Sequence, residues 1–383
     1  MAKDNLAVKT FEYKIRKNKK FVEACEKVLL HCQQLYNACL EQRISFYRNT
    51  GLTVNWIEQN RQLTDLRAED ESSRGIPRRI QENVLRRLER SYQNFFFRVR
   101  SGKSGGFPRF RSRGRYDNFE YSIDRRHLCP LQGDKLTVAG VGTCRIRLSR
   151  PIEGAVRIVR ILRRVDGFYV HLVCEQERPA PLVPTGKSVG IDVGLESFAT
   201  FSTGEQIKNP RFIERAESSL IKTQKELSRK TIGSRNRVKK RISLAKKHLT
   251  VARARRHFHH RVANDLVRRF DSIFVENLNI QGMVRNHRLA KSISSVAWAS
   301  FLAILTNKAA EAGRIVEKVN PNNTSQLCSS CGAVVKKKLS TRKHSCPECG
   351  LELHRDHNAA INIRSRGLAV EPEVTLALKQ ECS

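Results

Sequence analysis

The chain has 383 residues, which gives room for two or three domains with buried cores and excludes a peptide or a single small module. Lysine and arginine number 72 against 37 acidic residues, so the formal net charge is +35. This excess predicts a polyanionic partner, because a membrane-surface protein would concentrate its charge in one amphipathic segment or beside a lipidation signal.

No apolar run approaches the roughly 20 residues needed to span a bilayer, and the start, Met-Ala-Lys-Asp-Asn, is not typical of a signal peptide. We therefore expect a cytoplasmic protein with no membrane partner, and no motif points to a small-molecule substrate. Seven of the eleven cysteines are scattered and are expected to be reduced, ordinary residues. They are Cys25, Cys32, Cys39, Cys129, Cys144, Cys174 and Cys382.

The first half of the chain combines strands with helices. Residues 7–16 alternate apolar with polar side chains, as a half-buried strand does, and from about residue 20 to 100 the apolar residues recur at helical spacing. Residues 101–115, rich in glycine, serine and arginine, end that pattern. Short alternating segments then predict a small β-barrel or sheet into which the helices are inserted, at 136–138, 144–148, 155–162 and 168–174.

The second half shows an α/β pattern after a proline-rich linker at residues 179–184. Strands are predicted at 188–193, 198–202, 272–276 and 314–319. Helices are predicted from about Arg211 to Phe270, from 297 to 312 and, briefly, at the end of the chain.

Four cysteines form two paired knuckles, Cys328-Ser-Ser-Cys331-Gly and Cys346-Pro-Glu-Cys349-Gly. This spacing predicts a zinc ribbon with four thiolates around one Zn²⁺. The zinc is expected to be structural, because four protein ligands leave no open position for water. The glycine after each pair lets backbone amides turn toward sulfur. The alternative is a pair of redox motifs, which this spacing in a cytosolic chain favours less.

Three acidic residues lie at the ends of predicted elements. Asp192 follows the apolar strand Ser188-Val-Gly-Ile, Glu276 ends the strand Ile273-Phe-Val, and Asp356 directly precedes a helix. If they converge, they suit two Mg²⁺ ions, which prefer carboxylate oxygens and support hydrolysis of a nucleic-acid strand. The alternative for each residue is an edge carboxylate, a helix cap or an ion-pair partner.

Basic residues dominate residues 208–261, where few acids balance them, so this region is predicted to line a nucleic-acid channel rather than form a solvated helix face. His257, His259 and His260 lack a carboxylate partner at metal-ligand spacing, and we expect them to belong to the same basic face. Phe107-Pro-Arg-Phe-Arg interleaves aromatic rings with arginines, which suits either stacking on unpaired bases or a packed loop.

Taken in order, these motifs resemble the TnpB proteins of bacterial insertion sequences, relatives of compact type V CRISPR effectors. The resemblance rests on Gly190-Ile-Asp-Val-Gly, Val275-Glu-Asn-Leu, the two knuckles and His354-Arg-Asp-His-Asn-Ala-Ala-Ile-Asn-Ile. It extends upstream to Tyr92-Gln-Asn-Phe-Phe-Phe-Arg, Gly106-Phe-Pro-Arg-Phe-Arg and Arg288-Leu-Ala-Lys-Ser-Ile-Ser, and covers about residues 5 to 366.

The resemblance implies an α+β multidomain fold. A β-barrel wedge domain would carry an inserted helical recognition domain, and an RNase H-like (RuvC) α/β nuclease domain would carry an inserted zinc ribbon. The implied segments are 1–18 (wedge, first part), 19–102 (recognition), 103–184 (wedge, second part), 185–325 (nuclease), 326–352 (zinc ribbon), 353–366 (nuclease, last segment) and 367–383 (a tail without a motif, expected to be disordered).

The resemblance also implies an RNA-guided DNA endonuclease associated with an insertion sequence, with a guide RNA and double-stranded target DNA as partners. Asp192, Glu276 and Asp356 would be the catalytic carboxylates with two Mg²⁺, and Cys328, Cys331, Cys346 and Cys349 would hold one Zn²⁺. Side chains that would contact nucleic acid, including a short duplex motif beside the target, are Thr53, Arg78, Arg79, Gln81, Asn83, Arg109, Arg111, Tyr121, Ser122, Lys239, Lys240, Arg253 and Arg256.

Two other functions fit parts of the pattern. A DNA-binding repressor of the same family would keep the nucleic-acid grip but is expected to lack one or more of the carboxylates, all of which are present here. A DNA transposase would use a similar carboxylate trio on an RNase H-like core, and the motif alone does not exclude it. The zinc ribbon and the predicted barrel upstream favour the guided nuclease, in which base pairing rather than side chains reads the target.

Overall fold

The computed structural model describes residues 6–123, 131–285, 287–338 and 341–380. The chain divides into two compact units, Met1–Arg178 and Pro179–Ser383, and the boundary falls at the start of the proline-rich linker. Each unit has its own hydrophobic core. The first five residues, Cys129 and Cys382 lie outside the described residues.

Unit 1 contains seven strands and four α-helices among its described residues. They are β1 (Leu6–Lys14), α1 (Lys19–Thr50), α2 (Trp56–Glu69), α3 (Glu71–Arg74), α4 (Arg78–Arg100), β2 (Asn118–Ser122), β3 (Leu131–Gln132), β4 (Lys135–Val138), β5 (Gly142–Arg145), β6 (Ala155–Arg164) and β7 (Gly167–Glu177). Strands β1, β7, β6 and β2 form an antiparallel sheet in that order, and β3, β4 and β5 form a second. A bridge between Ile15 and Ile146 links the strand ends of the two sheets.

The helices of unit 1 pack one face into the core. On α1, Cys25, Cys32 and Cys39 recur every seven residues, and all three are buried and free, as predicted. The region predicted to be helical is divided into α1, the short pair α2 and α3, and α4, and α4 begins directly after Pro77, where Gly75 and Pro77 mark a helix start in the sequence. These breaks come from caps such as Asn55, whose side chain accepts hydrogen bonds from the first backbone N–H groups of α2.

Unit 2 contains the other described elements of the chain. They are β8 (Ser188–Asp192), β9 (Ser197–Phe201), β10 (Gln206–Lys208), α5 (Phe212–Ser228), α6 (Arg235–Arg269), β11 (Ser272–Glu276), α7 (Ile280–Val284), α8 (His287–Val296), α9 (Trp298–Ala312), β12 (Ile315–Val319), β13 (Lys343–Ser345), β14 (Glu352–His354) and α10 (Arg355–Gln380). The main sheet has the order β10-β9-β8-β11-β12, in which β8, β10, β11 and β12 run in the same direction and β9 runs antiparallel to both of its neighbours. Strands β8 and β11 are buried on both faces, as their continuous apolar runs predict.

The structure adds detail to two expectations for the second half. The region predicted to be helical from about Arg211 to Phe270 is helical, and it consists of two packed helices, α5 and α6, because the chain turns at residues 229–234 and the Ser234 side chain accepts a hydrogen bond from Arg237 N to start α6. The tail was expected to be disordered from residue 367, but residues 367–380 continue α10. Within the described part of the chain, none of the helices combines the length and apolar character that crossing a bilayer requires.

Candidate active site

Asp192 and Glu276 lie at the same end of two neighbouring parallel strands. Strand β8 pairs with β11 so that Ile191 lies opposite Val275, and the next residue on each strand is the carboxylate. Parallel strands end together, so the two side chains emerge side by side beyond the carboxyl edge of the sheet. This edge is where α/β folds usually place their ligands.

Asp356 reaches the same region because it lies in the first turn of α10, which packs against β8. The packing depends on Gly190, where an added Cβ would lie 2.2 Å from Ala360 O and 2.5 Å from Arg364 N. A strand residue with a side chain would therefore push the helix away. The close approach of β8 and α10 leaves the Asp356 side chain mostly buried, at 12 % exposure.

The three carboxylates interact electrostatically. Burial, followed by the charges of Glu276 and Asp356, raises the pKa of Asp192 to about 8, and Arg355 opposes this only in part. Burial also raises the pKa of Glu276, although the hydrogen bond from the Thr324 hydroxyl and the charges of two arginines act to lower it. A shared cation would relieve like charges crowded in a poorly solvated place, so these three carboxylates are candidates for binding a divalent metal that prefers oxygen ligands.

Thr324 is a site residue that the sequence analysis missed. Its hydroxyl donates a hydrogen bond to Glu276 Oε1 at 2.5 Å, and the side chain is only 3 % exposed. Nothing in the segment Asn322-Asn-Thr-Ser-Gln marks this threonine, since it lies 48 residues from Glu276 and outside any helix or strand. Only the folded arrangement brings the two together.

The four knuckle cysteines form one cluster. Their sulfur atoms lie within 4.8 Å of one another, and the separation is 3.6 Å from Cys328 to Cys349 and from Cys331 to Cys346. A tetrahedron of metal–sulfur bonds of about 2.3 Å has edges of about 3.8 Å. Both 3.6 Å contacts join different knuckles, an arrangement that suits one shared metal ion better than two separate redox pairs. The cluster can therefore hold a metal such as zinc.

The knuckle backbone supports this cluster. Gly332 and Gly350 adopt φ of 77° and 71°, a left-handed conformation that favours glycine, and their N–H groups bond to Cys328 O and Cys346 O at 3.0 Å. Burial raises the pKa of the Cys328 thiol, but backbone N–H groups and the buried His344 outweigh burial and lower this pKa to about 5. A thiolate at neutral pH is the form that binds metal.

The candidate nucleic-acid residues differ widely in exposure. Gln81 is buried, where its side chain bonds to Ser73 and His31, and Tyr121 is 7 % exposed. Both side chains therefore face the interior in this conformation. Arg78, Asn83 and Lys240 are half-buried and bond to Glu82, Glu120 O and Glu226, respectively. The exposed members are Thr53, Arg79, Arg109, Arg111, Ser122, Lys239, Arg253 and Arg256.

The histidine cluster was wrongly assigned as a whole to the basic face. His259 is 1 % exposed, and its ring packs 5.6 Å from Phe198 and 5.7 Å from Phe301. Its Nε2 atom lies 3.0 Å from Val296 O, and burial lowers its pKa to about 4, so the ring is neutral at pH 7. The apolar face of α6 buries this residue, which an overall count of basic residues does not reveal.

The aromatic segment near Phe107 is partly packed. The Phe107 ring contacts Tyr92 and Phe95 of α4 edge-on, at 5.6 Å and 5.3 Å between centroids, and remains 45 % exposed. Phe110 is 51 % exposed. One ring of the motif thus anchors the loop while the other faces solvent.

Two protein-family models match parts of this chain, almost entirely within its second half. Residues 171–287 match the OrfB_IS605 family, described as a probable transposase, and residues 298–363 match the Cas12f1-like TNB domain. The first match includes Asp192 and Glu276, and the second includes Thr324, the four knuckle cysteines and Asp356.

Two of the relatives match most of the chain. A protein of Streptomyces pristinaespiralis that carries the name RNA-guided DNA endonuclease is 34% identical over 350 residues, covering 88% of this chain and 83% of that protein. A relative in Escherichia coli K12, InsQ, which also carries the name RNA-guided DNA endonuclease, is 28% identical over 340 residues. The match covers 84% of this chain and 81% of that protein. TnpB-like proteins of Acanthamoeba polyphaga mimivirus are 28% identical over 47% of the chain.

The fold also has a counterpart among solved structures. The Cas12f1 protein, in a structure of its complex with sgRNA and target DNA, superposes with a TM-score of 0.60 and covers 94% of this chain and 99% of its own. The two sequences are 15% identical, so the likeness shows a shared fold. With the relative that is 34% identical over most of both chains, these comparisons show that the chain belongs to the TnpB family.

Proposed function

We propose that this protein is an RNA-guided DNA endonuclease that cuts target DNA beside a short recognition motif. The relatives' names support this kind of activity, and the net charge of +35 supports two polyanionic partners, a guide RNA and a double-stranded DNA. In this proposal the protein grips an RNA–DNA heteroduplex by its backbone, while base pairing reads the sequence.

We assign the catalytic role to Asp192, Glu276 and Asp356. Two Mg²⁺ ions held by these carboxylates would stabilise both the attacking and the leaving oxygen of an in-line phosphodiester displacement. The chain contributes burial, which reduces the hydration of Asp192, and the shared edge of the parallel strands β8 and β11, which sets the spacing of Asp192 and Glu276. Arg355 adds a positive charge whose field reaches Asp192 and Glu276.

The domain roles follow the same proposal. The main sheet of unit 2, in which four strands run in one direction and β9 runs in the other, supports an RNase H-like nuclease interrupted by a ribbon that holds structural Zn²⁺ at Cys328, Cys331, Cys346 and Cys349. The two antiparallel sheets of unit 1 would form the wedge domain, with α1 to α4 as the inserted recognition domain. The exposed candidate residues of unit 1, such as Arg79 and Ser122, would lie near the recognised duplex motif.

The observation that carries the proposal is the convergence of three carboxylates far apart in sequence, two of which raise the pKa of the third. The test is cleavage of plasmid DNA that contains the guided target, by protein purified with its RNA and supplied with Mg²⁺. We expect Asp192→Ala to abolish cleavage while RNA and target binding persist. Asp265→Asn is the matched control, because Asp265 is an exposed acid of the same unit that pairs with Arg269.

Equal cutting by wild type and Asp192→Ala would reject the catalytic assignment. Target binding without cutting by the wild type would favour the repressor, which keeps the grip and lacks the chemistry. Sequencing of the RNA that copurifies separates the nuclease from the transposase, which the description of one matched family names. A transposase is expected to carry no discrete long RNA, and its product would contain joined DNA ends.

A further inference from the structure

The carboxylate of Glu276 is held by a neutral side chain from a loop between the main sheet and the first knuckle. The Thr324 hydroxyl lies 2.5 Å from Glu276 Oε1 and 3.1 Å from Pro321 O. A hydroxyl has one proton, so it donates to one of these acceptors at a time. The carboxylate is closer and charged, and hydrogen bonds to charged acceptors are roughly twice as strong as neutral ones, so the bond to Glu276 dominates.

The loop that carries Thr324 is fixed to α10 by three side chains spaced four residues apart. Asn362 Nδ2 donates to Thr324 O and Leu327 O, both at 2.8 Å. Asn358 Nδ2 donates to Leu327 O at 2.7 Å, and Arg366 donates to Asn320 O at 2.7 Å. Residues four apart lie on one face of a helix, so Asn358, Asn362 and Arg366 form a polar stripe on α10 that binds this loop.

The stripe also reaches the metal cluster. The Oδ1 atom of Asn358, a fully buried residue, accepts a hydrogen bond from Ser329 N, inside the first knuckle, at 2.9 Å. The same helix carries Asp356 in its first turn. One helix thus sets the position of a proposed catalytic carboxylate, of the loop that holds another, and of the first knuckle.

We propose that Thr324 is a positioning residue that fixes the Glu276 carboxylate in its metal-binding orientation, and that Asn362 holds Thr324 in register with Asp356. The inference rests on the function proposed above and adds a residue to it. A free glutamate has several rotamers, and holding one by a hydrogen bond preorganises the site before the metal arrives. Partners that orient a metal ligand typically contribute roughly 10- to 100-fold to metal affinity or activity.

A merely structural role makes a different prediction. If the hydroxyl only secured the loop through Pro321 O, its loss would lower thermal stability and zinc content, and the Mg²⁺ dependence would stay the same. If it orients Glu276, the Mg²⁺ dependence changes while the fold and the zinc content are retained. The two roles are therefore separated by readouts other than the rate of cleavage.

The experiment compares Thr324→Val, which removes the hydroxyl at similar volume, with Thr324→Ser, which keeps it. Ser295→Ala is the matched control, because Ser295 is equally buried in the same unit and donates to Glu214, a carboxylate outside the proposed site, at 3.2 Å. For each protein we would measure zinc content, the melting temperature, the rise in melting temperature on adding Mn²⁺, and the Mg²⁺ concentration that gives half-maximal cleavage.

We expect Thr324→Val to raise the half-maximal Mg²⁺ concentration roughly 10-fold or more and to reduce the stabilisation by Mn²⁺. Zinc content and the melting temperature without added Mg²⁺ or Mn²⁺ should stay close to those of Ser295→Ala. Thr324→Ser should behave as wild type. An unchanged Mg²⁺ dependence in Thr324→Val, or a parallel loss in Thr324→Ser, would overturn the inference. Either result leaves the proposed function intact as long as wild type cuts and Asp192→Ala does not.

Discussion

At Asp192, folding and metal binding make opposite demands. The backbone of β8 places this carboxylate where water is scarce and where Glu276 and Asp356 add negative charge. An uncompensated charge in such surroundings destabilises the folded state, and a bound cation reverses the effect. The same burial that makes the residue costly in the metal-free protein thus favours a divalent ion.

The pKa of Asp192 predicts how stability depends on pH. Without divalent metal, the pKa of about 8 keeps Asp192 largely protonated in the folded protein below that pH, whereas the unfolded chain releases the proton near the ordinary aspartate pKa of 3.8. The unfolded state therefore binds fewer protons across this window, and the contribution of Asp192 to stability falls as pH rises from about 4 to 8.

We therefore expect Asp192→Asn to be more stable than wild type in Mg²⁺-free buffer, by a margin that widens from pH 5 to pH 8. Each pKa unit corresponds to about 1.4 kcal/mol. Thermal melts of the zinc-loaded proteins would measure this, and adding Mg²⁺ should narrow the gap by stabilising only the wild type. A margin independent of pH would mean that Asp192 ionises normally in the fold.

At the scale of elements, α10 organises the site through two of its faces. One face packs on β8 at Gly190, and another carries the stripe of Asn358, Asn362 and Arg366 that holds the loop to the first knuckle. The helix begins with Asp356. Its position relative to the sheet therefore decides whether the third carboxylate meets the other two.

Gly190→Ala should damage both stability and cleavage. The added methyl would meet the backbone of α10 at 2.2 Å, so the helix must shift away from β8 and carry Asp356 with it. We expect a loss of roughly 1 to 3 kcal/mol, typical of overpacking, together with a fall in the cleavage rate. Chemical denaturation and the plasmid assay would measure the two effects.

Gly75→Ala serves as the control for this substitution, because a Cβ there meets only ordinary contacts at 3.7 Å and φ is −65°. It should leave stability nearly unchanged. Equal effects of the two substitutions would show that the contact between β8 and α10 adapts at little cost.

The four-cysteine cluster is also an element with its own stability. Short strands β13 and β14 and the two knuckles have little apolar core, so the folding of this ribbon should depend on the bound metal. We expect Cys346→Ser to reduce bound zinc sharply and to impair cleavage through the Asn358 contact with Ser329 N. Metal analysis and hydrogen exchange would report this, and exchange in the core of unit 1 should remain at the wild-type level.

At the scale of the whole molecule, the dominant property is charge. An excess of 35 positive charges repels itself unless phosphates neutralise it, so affinity for nucleic acid should fall steeply with salt. Lys239 is exposed, whereas Lys240 pairs with Glu226 at 2.6 Å. Neighbouring lysines on one helix should therefore differ in what they contribute.

Removing Lys239 should weaken RNA binding more than removing Lys240. For a lysine that contacts a phosphate, the slope of log affinity against log salt falls by roughly 0.7 to 0.9 on substitution. We expect Lys239→Ala to show such a change and Lys240→Ala a smaller one, measured by binding of a fixed-length RNA over a salt series. Identical slopes for both variants and wild type would place this part of α6 away from the nucleic acid.

The sequence alone was sufficient for features that short-range patterns encode. Apolar runs that end in a carboxylate predicted β8 and β11 with Asp192 and Glu276 at their ends, and the Cys-x2-Cys-Gly pairs predicted the cluster of four cysteines. Residue spacing determines these features, because strand length and knuckle geometry are local. The order of the motifs also indicated the family, which the comparisons confirmed.

Tertiary structure decided what depends on contacts between distant segments. The hydroxyl of Thr324 meets Glu276 only when the loop after β12 packs on α10, and His259 and Gln81 become internal only because particular faces of α6 and α4 are covered. The turn between α5 and α6 was missed because a helix with basic residues on most sides has no clear apolar period to interrupt. The spacing of residues along the chain indicates which side chains could form a site, but only the packing of distant segments determines which of them come into contact.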